Sequence, residues 1–253
     1  MATKKVDTGS LHIEALKQGR VTFRLIGTTP LYFNAMSAKA KRSLLLGGGK
    51  KTAAERKDIK HDPEQEFRES VYRLPDGPTL LGFPAPGVKG AMATAALETA
   101  GVTKTSVQRL IFLPEQKIKV WGKPYLKMDV VRSADMNKTP DIRTRAFLPR
   151  WCAEVDIAFI TPTLSAHAVA SLLTNAGVIV GLGDFRQEKG RGSYGTFAVS
   201  GSEDMGGWQD VWDQVTQESR DIQQVALDMP EFADDDTAEL MEIFFEEKQR
   251  RAA

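Results

Sequence analysis

The sequence predicts an α+β protein with a ferredoxin-like, RRM-like βαββαβ core, basic insertions and a C-terminal helical tail. Two segments, Val21–Gly27 and Arg150–Ile160, alternate apolar and other residues as strands do. An alanine-rich helix that stops near Gly101 and a helix capped by Ser165 lie between predicted strands. At 253 residues, with 42% hydrophobic and 26% charged residues, the chain is long enough to bury a core.

The boundaries follow from shifts in composition. Residues 1–20 are polar and predicted to be poorly ordered, and residues 21–201 form the core. The core carries insertions at 38–65 and 122–149. Residues 202–253 form an acidic helical extension.

In the first half of the chain, Val21–Gly27 is the first strand, and Thr28-Thr29-Pro30 ends it. Glu66–Leu74 is predicted to be the second strand, closed by the turn Pro75-Asp76-Gly77-Pro78. The alanine-rich helix follows Gly87, and Ile111–Trp121 is predicted to be one further strand.

In the second half, residues 122–149 are predicted to project as a hairpin, the alternative being an ordinary surface excursion. Arg150–Ile160 and the helix His167–Ala176 then lead to a glycine-rich loop, and a short strand, Thr196–Val199, follows it. The tail is predicted to contain one helix over 207–223 and another over 232–251, which either packs on its own body or binds a partner.

The charge is distributed asymmetrically. Residues 1–201 contain 30 Lys/Arg against 18 Asp/Glu, whereas residues 202–253 contain 4 against 15. A basic body favours a polyanionic ligand. The acidic tail is expected either to shield that surface or to dock on the basic face of a neighbour.

The glycine-rich loop, residues 181–195, is the most specific motif. Dense glycine lets a ligand approach the backbone and lets amides turn outward, and the basic side chains add positive charge. We therefore predict an anion-binding loop; the alternative is a flexible hairpin connection. Its candidate residues are Gly181, Gly183, Phe185, Arg186, Lys189, Gly190, Arg191, Gly192 and Tyr194.

Cations elsewhere in the chain are further candidates for contact with a nucleic acid. Aromatic residues, among them Phe185, Tyr194, Trp121 and Tyr125, are candidates for contact with bases. Solvated surface lysines and a mobile basic segment are the alternatives. The candidate cations are Lys39, Lys41, Arg42, Lys50 and Lys51 in the first insertion, Lys89 at the start of the alanine-rich helix, and Arg132, Arg143 and Arg145 in the second insertion.

No catalytic residue, metal site or cofactor is predicted. The single cysteine, Cys152, lies in an apolar segment and is predicted to be a small core residue. Neither a signal peptide nor a run of eighteen apolar residues is present, so we expect a cytoplasmic protein that does not enter a membrane.

Two motifs resemble the RAMP superfamily, which includes the backbone subunits of CRISPR effector complexes. The glycine-rich loop with its preceding helix is similar to the C-terminal glycine-rich loop of these proteins. Phe83-Pro84-Ala85-Pro86-Gly87-Val88-Lys89-Gly90-Ala91 is similar to their proline-glycine-lysine-glycine-alanine segment. Val21–Leu31 resembles their first strand, and the likeness covers about residues 20–200. Stand-alone phage-encoded relatives share it.

The resemblance implies a subunit that grips single-stranded RNA, displaces a base with a thumb hairpin and stacks head to tail in a filament. Lys89 and the glycine-rich loop would touch phosphates, residues 39–60 would be the web and residues 122–149 the thumb. RNA-cleaving members place an aspartate between the positions of Leu25 and Ser43, where this chain has no acidic residue. The resemblance therefore implies binding without cleavage.

The partners expected are thus single-stranded RNA or DNA, copies of the chain itself, and other CRISPR effector subunits contacted through the acidic tail. Three alternatives stay open at this point. They are a single-stranded DNA-binding phage protein, a metal-independent RNA-processing endonuclease with a histidine (His12, His61 or His167) or a lysine as general base, and a phage-encoded mimic that inhibits a host CRISPR complex.

Overall fold

The architecture was analysed in a computed structural model that describes residues 15–47, 60–132, 139–189, 192–200 and 207–252. It is a mixed α/β protein whose strands pair antiparallel throughout the described residues. Lys50, Lys51, Gly190 and Arg191, and most of the predicted polar N-terminal segment, lie outside these ranges.

The main sheet is built around two long central strands. β1 (Lys17–Gly27) pairs with β9 (Cys152–Thr161) from Lys17 opposite Thr161 to Ile26 opposite Cys152. The remaining strands of this sheet are β3 (Tyr72–Arg73), β4 (Leu81–Pro84), β5 (Ile111–Phe112), β6 (Lys117–Trp121) and β10 (Phe197–Val199). The order across the sheet is β10-β1-β9-β6-β4-β3, and β5 also pairs with β9.

Both central strands confirm the predictions from alternation, although β1 begins earlier than expected. Residues 17–20 were predicted to belong to a poorly ordered segment, which was wrong. They pair with residues 158–161, and Arg20 forms an ion pair with Asp156 on the neighbouring strand. Polar residues can occupy this end of β1 because their side chains remain exposed.

Helices α3 (Ala85–Ala95) and α5 (Ala166–Ile179) cover the sheet and contribute to one large core. Both were predicted. Ser165 caps α5 by accepting a hydrogen bond from the Ala168 N–H. Cys152 is fully buried, as predicted, and burial raises the pKa of its thiol to about 12.

Two segments predicted as single strands have a different structure. The first four residues of Glu66–Leu74 lie in α2 (Pro63–Glu69), whose N-cap Asp62 accepts from the Gln65 N–H and whose first turn carries Pro63 and Glu64. Only Tyr72–Arg73 pairs as a strand. The predicted strand Ile111–Trp121 is split at Pro114 into β5 and β6, and α4 (Lys104–Leu110) precedes it.

The second insertion forms a hairpin, as predicted. β7 (Tyr125–Arg132) and β8 (Pro140–Leu148) pair along their whole lengths, and β2 (Leu31–Tyr32) joins β8 at Leu148 and Phe147. This three-stranded sheet is separate from the main sheet. The first insertion begins with α1 (Ala38–Leu46), none of whose residues is buried.

The tail packs on its own body. The single helix predicted over 207–223 is replaced by α6 (Trp208–Val215) and α7 (Arg220–Asp228), because the chain turns at Thr216–Ser219. The final helix, α8 (Asp235–Ala252), was predicted correctly. It contacts β7, and ion pairs join Lys123 to Glu231 and Lys127 to Asp234. The acidic tail therefore neutralises two lysines of the hairpin.

Candidate nucleic-acid interface

The glycine-rich loop is held in a tightly packed conformation. Gly181, Gly183 and Gly195 have φ values of 77°, 82° and 73°, which side chains rarely adopt. A Cβ atom on Gly183 would lie 2.4 Å from the Tyr32 carbonyl oxygen, and one on Gly195 would lie 1.7 Å from the Leu182 oxygen. Glycine is required here because backbone packs directly on backbone.

The prediction that the loop amides turn outward to bind an anion is wrong for much of the loop. Leu182 donates to Gly195, Gly195 donates to Pro30 and Asp184 donates to Tyr32, at 2.8, 2.8 and 3.1 Å. Tyr194 donates to the Phe185 oxygen at 3.3 Å. Because these N–H groups donate to backbone oxygens of the protein itself, the main role of the loop is to pack against β2 and stabilise it.

The loop also builds one side of an aromatic cluster around Arg145. The rings of Phe147, Phe185 and Tyr194 lie 5.0, 5.4 and 4.9 Å from the ring of Tyr32, all edge-on. The Arg145 guanidinium carbon lies 4.4 Å from the centre of the Phe185 ring, which is a cation–π contact. Phe185 itself has a φ of 51°, an unusual value for a bulky residue.

Charges are buried within this cluster. Arg145 is only 2% exposed, and its Nη1 lies 3.4 Å from Asp184 Oδ2, which also accepts from Asn34 at 2.9 Å. Burial lowers the pKa of Arg145 and raises the pKa of Asp129. Burial also raises the pKa of Tyr32. Arg145 is thus mainly a buried structural cation, and some of its N–H groups remain able to donate further hydrogen bonds.

The atoms that can still form hydrogen bonds belong to Arg145 and to its neighbour Thr144. Nε of Arg145 and Oγ1 of Thr144 are buried without a hydrogen-bond partner among the described residues, and Nη1 of Arg145 has its 3.4 Å ion pair with Asp184 but no hydrogen bond. Arg145 and Thr144 line a cavity of about 470 Å³ between α1, α2 and the edge of β8. We call this space the α1–β8 cavity. Buried polar groups are nearly always paired, so these atoms can accept a bound water molecule or a polar group of a ligand as a partner.

Exposed cations lie on α1 and β8, two of the elements that line this cavity. Lys39, Lys41 and Arg42 are exposed on α1, and Ser37 caps that helix by accepting from the Ala40 N–H at 3.2 Å. Arg143 is exposed on β8 and lines the cavity. Within the described ranges no carboxylate pairs with these four cations. α1 and β8 therefore meet at this cavity, and the loop contacts two of its lining residues, Arg145 and Asn34, through Asp184.

His61 lies at the wall of the same cavity. Its Nδ1 is 2.8 Å from Glu66 Oε1, and its Nε2 is 3.1 Å from Asp141 Oδ1. Hydrogen bonds from Lys60, and then from His61, hold the pKa of Asp141 below its ordinary value. This network joins the end of the first insertion to the hairpin.

Two further predicted site residues lie elsewhere. Lys89 is in the second turn of α3, where its Nζ donates to the Gln108 oxygen at 2.9 Å and lies 5.5 Å from the Phe112 ring centre. It lines a largely apolar groove of about 650 Å³ with Tyr72, whose hydroxyl is 3.5 Å from the Asn34 oxygen. Since Asn34 lines the α1–β8 cavity, Tyr72 connects the two depressions. Arg132 ends β7, beyond the cavity.

The remaining candidates fit the site less well. Arg186 pairs with Glu188 at 3.2 Å, and Lys189 ends a short 3₁₀ helix. A Cβ atom on Gly192 would lie 1.7 Å from the Phe185 oxygen, so packing explains this glycine. Trp121, considered for contact with bases, is 7% exposed and packs on Trp212.

The sequence did not reveal Thr144, Asn34 and Asp184 as site residues. No local pattern marks them, because their importance depends on contacts between β2, β8 and the loop. The described residues contain no group of histidine, cysteine and acidic side chains placed to hold a metal ion. They also contain no helix with the length and apolar character needed to cross a bilayer.

Comparison with known proteins returned structural neighbours. No family model and no curated protein matches the sequence. One neighbour is a chain of the Type III-B Cmr-beta complex bound to cognate target RNA, with a TM-score of 0.41 and 13% identity; the match covers 72% of this chain and 59% of that chain. Another is Cmr6 from Pyrococcus furiosus, with a TM-score of 0.38 and 10% identity, covering 73% of this chain and 99% of that chain.

Proposed function

We propose that this protein is a non-catalytic subunit that binds single-stranded nucleic acid, preferentially RNA, in a CRISPR-type effector assembly. One observation carries the proposal. Exposed cations lie on α1 and β8, two elements that line a cavity, the described residues leave these cations without carboxylate partners, and the cavity lining includes Arg145 and Thr144 with buried polar atoms that have no hydrogen bond. Phosphates would contact the cations, and bases would contact the cavity and the groove beside Tyr72.

The preference for RNA over single-stranded DNA rests on the resemblance to RAMP proteins. Head-to-tail stacking of copies rests on the same resemblance. Of the two roles expected for the acidic tail, we propose the shielding of the basic body, because its ion pairs to Lys123 and Lys127 use part of its negative charge within the molecule.

We also propose that the core is ferredoxin-like. The order β10-β1-β9-β6 would correspond to strands four, one, three and two of a βαββαβ unit. In that assignment α3 connects the first strand to the second, and α5 connects the third to the fourth. The β3–β4 pair then extends the sheet beyond β6.

The contacts of His61 with two carboxylates favour binding without catalysis. Both of its ring nitrogens face carboxylate oxygens within 3.1 Å, so neither is positioned to take a proton from a ribose hydroxyl. His167 is exposed at the first turn of α5, and His12 lies outside the described residues.

The test is the salt dependence of binding to a fluorescent single-stranded RNA, measured by anisotropy. Replacing Lys39 and Lys41 with alanine should weaken binding to all sequences alike. It should also reduce the slope of log affinity against log salt by about 1.4, since each phosphate contact contributes roughly 0.7.

The matched control replaces Lys17 and Lys104, two exposed lysines outside the α1–β8 cavity, and should leave the slope near that of the wild type. Equal slopes for the two double variants would remove α1 from the interface. No binding by the wild-type protein at low salt would refute the proposed function.

A further inference from the structure

The two outer edges of the hairpin, one on β7 and one on β8, differ in how far other parts of the chain cover them. On β7, the N–H groups of Leu126 and Met128 donate to Glu231 and Thr237 of the tail, at 2.8 and 3.3 Å. On β8, the N–H of Ala146 donates to Ser70 Oγ at 2.8 Å, and its oxygen accepts from Phe33 at 2.9 Å. The tail thus covers the β7 edge, whereas β2 and α2 cover only one end of the β8 edge.

Beyond Ala146 the β8 edge faces the α1–β8 cavity. Backbone groups of successive residues in a strand point to alternate edges, so those of Thr144 and Ile142 point the same way as those of Ala146. β2 ends at Tyr32, and no described residue takes its place opposite Thr144. A backbone donor and acceptor from Thr144 therefore lie beside its unpaired Oγ1.

The rest of the lining limits what the cavity can hold. Ala35, Met36, Ala40 and Ile142 supply apolar surface. Arg145 supplies buried donors without hydrogen-bond partners among the described residues, whereas Glu66 and Asp141 supply carboxylates. A phosphate inside the cavity would face these carboxylates, so it is better placed outside, at Arg143 and Lys39. A flat group with apolar faces and both donors and acceptors on its edge suits the interior.

We propose that the α1–β8 cavity receives one nucleobase turned out of the bound strand, and that it prefers guanine. The inference rests on the proposed function for the identity of the strand. Guanine offers acceptors, O6 and N7, that suit the donors of Arg145 and Thr144. It also offers N–H donors that suit the carboxylates of Glu66 and Asp141, which retain free lone pairs.

The first experiment measures binding of GMP, AMP, CMP and UMP to the full chain by ligand-observed NMR. GMP should bind at least about fivefold more tightly than UMP, because a bidentate contact discriminates by about 1 kcal/mol or more. In Ala40→Trp the indole fills the mouth of the cavity, and GMP binding should be lost. Ser43→Trp adds the same bulk to an exposed position of α1 outside the cavity lining and should bind GMP as the wild type does.

The second experiment compares a uridine-only RNA with the same RNA carrying one guanosine. The guanosine should increase wild-type affinity about fivefold, and Ala40→Trp should abolish that increase, whereas Ser43→Trp should retain it. Equal binding of all four mononucleotides, or an unchanged preference in Ala40→Trp, would overturn the inference. If mononucleotides bind as expected but no strand binds, the proposed function fails and the cavity assignment stands. Thermal melting of each variant verifies that it is folded.

Discussion

At the scale of single residues, glycine in the loop serves packing more than flexibility. Gly195 combines a φ of 73° with a backbone approach that leaves no space for a Cβ atom. The same contact places Leu182 so that its N–H donates to the Gly195 oxygen at 2.8 Å. A high density of glycine was interpreted as exposure of amides to a ligand, yet here it permits close contact between two chain segments.

Gly195→Ala should therefore be strongly destabilising, by about 3 kcal/mol or more, because the clash is with backbone and the φ value is unfavourable. Gly90→Ala is the control. Gly90 is exposed in α3, has ordinary helical φ and has nothing within 4 Å of the place that a Cβ atom would occupy, so alanine should raise stability by about 0.5–1 kcal/mol. Urea unfolding measures both. Equal effects of the two substitutions would contradict the packing role.

At the scale of secondary-structure elements, β1 and β9 are joined by a charged contact near their exposed end. Asp156 accepts from Thr22 Oγ1 at 2.7 Å and from Arg20 Nε at 3.0 Å. The hydrogen bond from Arg20, followed by that from Thr22, holds the pKa of Asp156 below its ordinary value. The contact contributes stability only while the carboxylate is ionised.

Because the folded-state pKa of Asp156 is lowered, its contribution is present above the unfolded pKa of about 3.9 and is lost as pH falls through the folded value. Asp156→Asn should lower the Tm slightly at pH 7, by at most about 3 °C, since Arg20 is largely exposed to solvent. The difference between the two proteins should shrink as pH falls from about 5 towards about 2.5. A difference that stays constant over this range would exclude the ionised contact as its cause.

The elements that sequence reasoning identified are those with a strong local pattern. Alternation revealed β1 and β9, and Ser165 marked the start of α5. The segment Glu66–Leu74 misled because Phe67 and Val71, four residues apart, suit one face of a helix equally well. Asp62 and Pro63 were the signal that favoured the helix.

The site was predictable only in part. Clustered charge pointed to Lys39, Lys41, Arg42 and Arg143; the fold places Arg143 in the lining of the α1–β8 cavity and the other three on α1, which also lines it. The pairing of Arg145 with Asp184, 39 residues further along the chain, and the open edge at Thr144 depend on how β2 ends. No local pattern encodes such long-range contacts.

At the scale of the whole molecule, one buried side chain joins the acidic tail to the body. Gln223 of α7 is fully buried, and its amide makes four hydrogen bonds. Its Oε1 accepts from Leu80 and Leu81 at 2.8 and 3.0 Å, and its Nε2 donates to Val120 and Gly122 at 2.9 and 3.1 Å. These bonds attach the tail to the chain at the start of β4 and at the end of β6.

Gln223→Ala would leave four backbone groups without partners in a buried place, so the free energy of unfolding should fall by roughly 3–5 kcal/mol. Limited proteolysis should then cut the tail first, since α7 is the link between the body and α8. Gln224→Ala, which removes a hydrogen bond to Asp228 within the same helix, should change stability by less than about 0.5 kcal/mol. If the tail of Gln223→Ala resists protease as the wild type does, the tail is held mainly by the ion pairs of Lys123 and Lys127, and shortening those side chains should release it instead.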